Sequence, residues 1–232
     1  MNDPLSALAT LEGVPSAVTA ARDAADVIQR DRGRKVIPAE ISAKALLAGA
    51  RASAAIEDDL AAPAPEGGWQ AAAIRLSTEL FDLAGLIRTA PGQALARMHA
   101  LLGQGWVPDP ELGRVRPEAA ARISGLNQLL SGSTQASPVV VAAIAHAEVA
   151  TIEPFGAGDG IIARAVEHAV LIAGGIDPRA ILVPEAGHRA AGRGYARALQ
   201  GYATGDVNGV RGWILHCAQA LTYGVEVSPL AG

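Results

Sequence analysis

Apolar residues along this chain recur at helical spacing far more often than in strict alternation. Ala17, Ala20, Ala21, Ala24, Val27 and Ile28 form one such stripe, predicting a helix from a Ser16 cap to about Arg30. The polar run 31–35 breaks it, and a second helix is expected after Pro38, reaching about Glu57. Its row Ser42, Ala45, Gly49 and Ala52 is small enough for another helix to approach closely. Residues 61–68, rich in alanine, proline and glycine, read as an irregular surface loop. Helical patterning resumes with Ile74, Leu76, Leu80, Phe81, Leu83 and Leu86, then over roughly 93–102 and from Pro117 to about Leu130. Residues 103–116 are turn-rich and are expected to hold at most a short hairpin.

The two most apolar helices come next. Ser137-Pro138 pairs an N-cap serine with proline at the first helical position. The helix it opens, to Ile152, is apolar nearly all round and should be central. A second of this kind runs from about Gly160 to Ala173 and stops at Gly174-Gly175; two more span roughly 185–203 and 207–223. Abundant alanine and few bulky β-formers point the same way, so the expected fold class is all-α.

The 232 residues suit one large domain, or one domain with an extension. A net charge of -4 argues against a dedicated nucleic-acid binder. No stretch approaches the ~18 apolar residues of a membrane span, and Met1-Asn2-Asp3-Pro4 lacks a secretory pattern. The single cysteine, Cys217, excludes an internal disulfide and any multi-cysteine metal site. The expectation is a cytoplasmic protein that engages neither membrane nor nucleic acid.

The chemistry concentrates between the two central helices, at Ile152-Glu153-Pro154-Phe155-Gly156-Ala157-Gly158-Asp159-Gly160-Ile161-Ile162-Ala163-Arg164. Glycines at alternate positions leading into a helix can expose several N–H donors at the positive end of its dipole, an anion nest. The same glycines also suit a plain helix–helix turn. The spacing is not the dinucleotide fingerprint, and it follows a helix rather than a strand, so a nicotinamide oxidoreductase ranks low.

This loop resembles the signature of the Fic/Fido family, His-Pro-Phe-x-(Asp/Glu)-Gly-Asn-Gly-Arg-x-x-Arg, with Pro154, Phe155, Gly158, Gly160 and Arg164 in register. Ser53-Ala54-Ala55-Ile56-Glu57 resembles that family's Ser/Thr-x-x-x-Glu inhibitory helix, Tyr195–Gln200 with Trp213 its closing helices, and residues 111–116 fall where its flap lies. The resemblance covers about residues 37–223. It implies an N-terminal helical extension, 1–60, packed on a Fic/Fido-like core, 69–232, with a short hairpin flap. It also implies ATP or another nucleotide as ligand, and an unidentified protein as partner or target.

The departures fall on the reactive positions. Glu153 stands where the family's catalytic histidine would be, Ala157 replaces the acidic ligand of Mg2+, Asp159 replaces the asparagine and Ile161 the first arginine. Transfer from a nucleotide depends on cationic stabilisation of its phosphates, so each change weakens it. The leading expectation is a degenerate member without ordinary AMP transfer, serving as a nucleotide-sensing, regulatory or protein-interaction module. The alternative is transfer of AMP or another group to a protein hydroxyl with Glu153, its pKa raised against apolar neighbours, as base. Gly156, Gly158, Asp159, Gly160 and Arg164 are the candidate anion site, and Ser53 and Glu57 the regulatory pair. Arg164 would then either hold a phosphate or pair with Glu57.

The remaining groups read as structural. His146 is expected in the core, bonded to backbone. His99, His168, His188 and His216 show no His-x-x-x-His spacing, so no metal site is expected. Cys217 should simply be buried, and Trp69, Trp106 and Trp213 should act as packing anchors.

Overall fold

A computed structural model describes residues 3–30, 37–60 and 64–231. The alanine-rich stretches fold as helices α1 (Pro4–Ala9), α2 (Val14–Arg30), α3 (Ala39–Asp59), α4 (Trp69–Thr78), α5 (Leu80–Leu86) and α6 (Pro91–Gly103). They are followed by α7 (Ala120–Ser131), α8 (Pro138–Ile152), α9 (Asp159–Ala173), α10 (Pro184–Ala191), α11 (Arg193–Ala203) and α12 (Val207–Glu226). Among the described residues there is no strand, and no helix is long and apolar enough to cross a membrane. The fold is all-α.

The central pair is α8 and α9. Ser137 caps α8 by accepting the Val139 N–H at 3.4 Å, with Pro138 preset behind it. Both helices are buried along most of their length, including the alanines Ala143, Ala147, Ala163 and Ala169. The partners α1, α3, α4, α5, α6, α7, α11 and α12 then enclose them in one continuous apolar core, with α10 packed on α3 and α12. Close approach elsewhere depends on glycine: a Cβ on Gly187 of α10 would run into the Ala220 backbone of α12. On α3, Gly49 leaves room for the Glu185 carboxylate of α10, which a Cβ would meet at 2.7 Å.

Four local expectations change. In α2 the buried stripe is Val14, Val18, Ala21, Ala25 and Ile28, set by packing on α12, and Val27 is exposed. Roughly 185–203 is two helices, broken at Gly192 where φ is +52°. Glu79 separates α4 from α5. Residues 105–116 form no hairpin; instead Asp109–Glu111 make a short 3-10 turn. Pro108 and Pro110 cannot donate to a ladder, the Gly113 N–H goes to His99 Nδ1 at 2.9 Å, and the Arg116 N–H goes to the Pro154 carbonyl at 2.8 Å. Residues 64–68 are irregular, whereas 61–63 and the break at 31–35 lie outside the described residues.

Candidate functional site

The α8–α9 turn is built from backbone conformations that few residues adopt cheaply. Glu153 ends α8 in the left-handed region at φ +48°, and Gly156 and Gly158 follow at +78° and +70°. Gly158 also lies against Leu102 and Trp69, which leave no room for a side chain. Arg116 pins the loop from outside, its Nη2 donating to the Glu153 carbonyl at 2.6 Å. Phe155 stacks on His99 with ring centroids 4.3 Å apart.

Asp159 closes the loop on itself. Its carboxylate accepts the Phe155 N–H at 3.0 Å. Burial pushes its pKa up to about 6, against the bonds from the Phe155 and Gly156 amides, while Glu153 adds repulsion. The amides of residues 157–161, by contrast, find no protein acceptor among the described residues. Residues 157–160 of this set border a cavity of about 340 Å3, also lined by Trp69, Trp106, Glu57, Arg164 and Tyr195. Trp69 and Trp106 meet edge to face at 5.3 Å, and the buried Trp69 indole N–H has no acceptor among the described residues. These two tryptophans are therefore cavity walls as well as packing anchors.

Arg164 projects from the second turn of α9 and is 1% exposed. Its guanidinium donates to Ser53 Oγ at 2.7 Å, the Ser53 carbonyl at 3.1 Å, Glu57 Oε1 at 2.6 Å and Tyr195 Oη at 3.1 Å. Four of its five N–H donors are thus engaged. Burial alone would lower the Arg164 pKa; Tyr195 and Glu57 outweigh it and the net shift is upward. The Glu57 carboxylate also lies directly against Gly160, where any Cβ would strike it. An anionic group therefore already sits at the first turn of α9, between Gly160 and Arg164. Ser53, Glu57, Gly156, Gly158, Asp159, Gly160 and Arg164 are brought together. Glu153 lines the same cavity but is exposed rather than buried against apolar helices.

Behind Tyr195 the bonds continue inward. Tyr195 Oη is 3.0 Å from His146 Nε2, and His146 Nδ1 bonds Glu167. Glu167 Oε2 also takes His188 Nε2 at 2.7 Å, and His188 Nδ1 is 3.0 Å from His216 Nε2. His146 is thus fully buried as expected, but its partners are side chains rather than backbone. Burial holds His146 at about 4, so it is neutral at pH 7, with Glu167 only partly opposing the shift. Separately, His168 lies between Glu185 at 2.9 Å and Asp177 at 3.1 Å. Burial would lower its pKa, but the two carboxylates raise it to about 10.

Sequence reasoning missed Glu167, and it gave Tyr195 and Arg116 no site role. One signal was available: an otherwise apolar central helix that carries Arg164, Glu167 and His168 must supply each with a buried partner.

No protein-family model matches the chain, and no curated protein matches it. Among solved structures, a Fic family protein from Desulfovibrio desulfuricans G20 is similar, with 20% identity and a TM-score of 0.62. The match covers 90% of this chain and 73% of that one. At this identity the likeness concerns the fold, and the fold of this chain is that of Fic/Fido proteins.

Proposed function

We propose that this Fic/Fido-fold protein is a nucleotide-responsive regulatory or protein-interaction module, held at rest by Glu57, and that it does not perform ordinary AMP transfer. The observation that carries this reading is the Glu57 carboxylate bound between Gly160 and Arg164. That is the position an anionic ligand group would take at a helix N-terminus. A nucleotide's phosphates would compete with Glu57 for Arg164 and would take up the unengaged amides of residues 157–160, and Trp69 adds a further unpaired donor.

The loss of transfer rests on the remaining positions. Ala157 offers no oxygen, and Asp159 is turned onto the Phe155 amide, so the residues here do not fit the Mg2+ that the resemblance implied. Glu153 sits exposed at a helix end. The segment 105–116 has no extended edge to align a target chain, and Arg116 ties it down to Pro154. This favours binding over the alternative, group transfer to a protein hydroxyl with Glu153 as base.

Isothermal titration with ATP and ADP, with and without Mg2+, tests the reading on the wild-type chain and on Glu57→Gly. Binding should be weak in the wild type, at least about tenfold tighter in the variant (about 1.4 kcal/mol), and indifferent to Mg2+. Absence of heat and of any thermal shift in both proteins would remove the nucleotide and leave only the interaction role. Labelled nucleotide incorporated into lysate proteins, and lost with Glu153→Ala, would overturn the reading in favour of transfer.

A further inference from the structure

We infer that α8, α9, α10 and α12 together carry a metal site, in which His146, Glu167, His188 and Cys217 bind one divalent transition-metal ion, Zn2+ or an ion of similar size and softness. The inference does not depend on the nucleotide reading. Each residue offers one ligand atom, and these atoms all lie within 4.8 Å of one another. All four side chains are buried. Two imidazoles, a carboxylate and a thiolate form a donor set typical of four-coordinate Zn2+. With bonds of about 2.0–2.3 Å, tetrahedral ligand atoms stand roughly 3.3–3.8 Å apart. His146 Nδ1 and His188 Nε2 now both bond Glu167 Oε2, the latter at 2.7 Å, so binding an ion would widen these contacts. Helix bundles commonly build such sites from inward-facing residues on separate helices.

The surroundings support the assignment. A ligating histidine needs a partner for its second nitrogen, which fixes tautomer and ring orientation. Both histidines have one: Tyr195 Oη for His146, and His216 Nε2 for His188, each at 3.0 Å. His216 is partly exposed at the outer end of this chain of groups and marks the route to solvent. Charge also balances. A divalent ion with the Glu167 carboxylate and the Cys217 thiolate is neutral, which a dry interior tolerates far better than an isolated carboxylate.

Binding releases the thiol proton. The proton that each histidine holds toward Glu167 is exchanged for one on its other nitrogen, so His146 then donates to Tyr195 and His188 to His216. The neighbouring His168 cluster differs in kind. Both of its nitrogens are taken by carboxylates, and Asp177 is further committed to the Ile181 and Leu182 amides at 2.9 and 3.0 Å. It is a structural triad in which only Glu185 Oε2 is left without a partner among the described residues.

The test is to treat the full chain with a chelator, confirm its helicity by circular dichroism, and titrate it with Zn2+ and Co2+. The expected result is one ion per chain, a raised unfolding temperature, and Co2+ spectra with intense visible four-coordinate bands and a thiolate-to-cobalt band. Cys217→Ser should abolish the thiolate band while the chain still binds Co2+. His188→Ala should cost more than the ~10–100-fold that losing an outer partner costs. Glu57→Gly should bind the metal normally, which separates this result from the fate of the nucleotide reading. A folded chain that takes up neither ion stoichiometrically would overturn the inference. So would Co2+ binding without a thiolate band that is indifferent to His188→Ala.

Discussion

The loop at residues 153–160 and the cluster of Ser53, Glu57, Arg164 and Tyr195 border one cavity, yet their charges are matched to very different degrees. Arg164 is fully buried with four donors engaged and a carboxylate at 2.6 Å. Asp159, five residues earlier on the same helix, is also buried, but it accepts only local amide bonds and has Glu153 as a like-charged neighbour. A buried charge is tolerable when a partner of opposite sign is fixed beside it, and costly otherwise. The comparison separates a rigid, satisfied latch from a loop that carries an under-compensated charge facing the same space.

The largest effect that would break this contrast comes from the latch. Arg164→Met should strand Glu57 and cost about 3–5 kcal/mol, a fall in unfolding temperature of roughly 6–20 °C for a chain of this size. Replacing both partners by apolar residues, Glu57→Leu with Arg164→Met, should recover much of that loss. Thermal denaturation of the two singles and the double measures the coupling. Strict additivity would mean the two charges do not depend on each other.

A smaller effect of opposite sign is expected in the loop. The Asp159 pKa is about 6 in the folded chain against an ordinary 3.8. Between those values the folded state holds the extra proton, so stability falls as pH rises through this window and stays lower above it. Asp159→Asn keeps the acceptor for Phe155 but removes the charge. It should stabilise the protein by about 1–3 kcal/mol at pH 8, with the gain vanishing toward pH 4. Equal gains at both pH values would mean that the benefit is not electrostatic. The same variant should improve nucleotide affinity by removing a repulsive charge from the cavity.

The smallest effect sharpens the comparison at the point where the regions touch. Gly160→Ala places a methyl group against Glu57 and should push that flexible carboxylate away from Arg164. The helix-propensity gain of about 1 kcal/mol offsets part of the loss, so stability should fall by less than in the latch variants. Nucleotide affinity should rise by several-fold. An unchanged affinity by titration would mean that Glu57 does not compete with ligand.

How much of this was legible in the sequence follows from the physics of each element. Ser137-Pro138 and the glycines after Glu153 fix α8 and its exit, because capping and left-handed turns are local events. The buried face of α2 was not legible, since alanines pack as easily on either side and contact with α12 made the choice. The break at Gly192 hides in an alanine and arginine run that reads as continuous helix. The hairpin failed because its prolines and Gly113 commit their backbone elsewhere. Glu57 and Arg164, 107 residues apart, could be paired only through the family resemblance. The histidine cluster left no spacing to find, because its four members come from four different helices.

The most direct measurement on the central claim is the unfolding temperature of Glu57→Gly with and without millimolar ATP, beside the wild type. Without ligand the variant should melt lower, because Arg164 is left buried without its carboxylate. With ATP it should recover, since ligand at ~100 times its Kd contributes about 2.7 kcal/mol, while the wild type barely responds. An unchanged melting temperature without ATP, or the same response to ATP in both proteins, would contradict the account of Glu57 as a latch on an anion site.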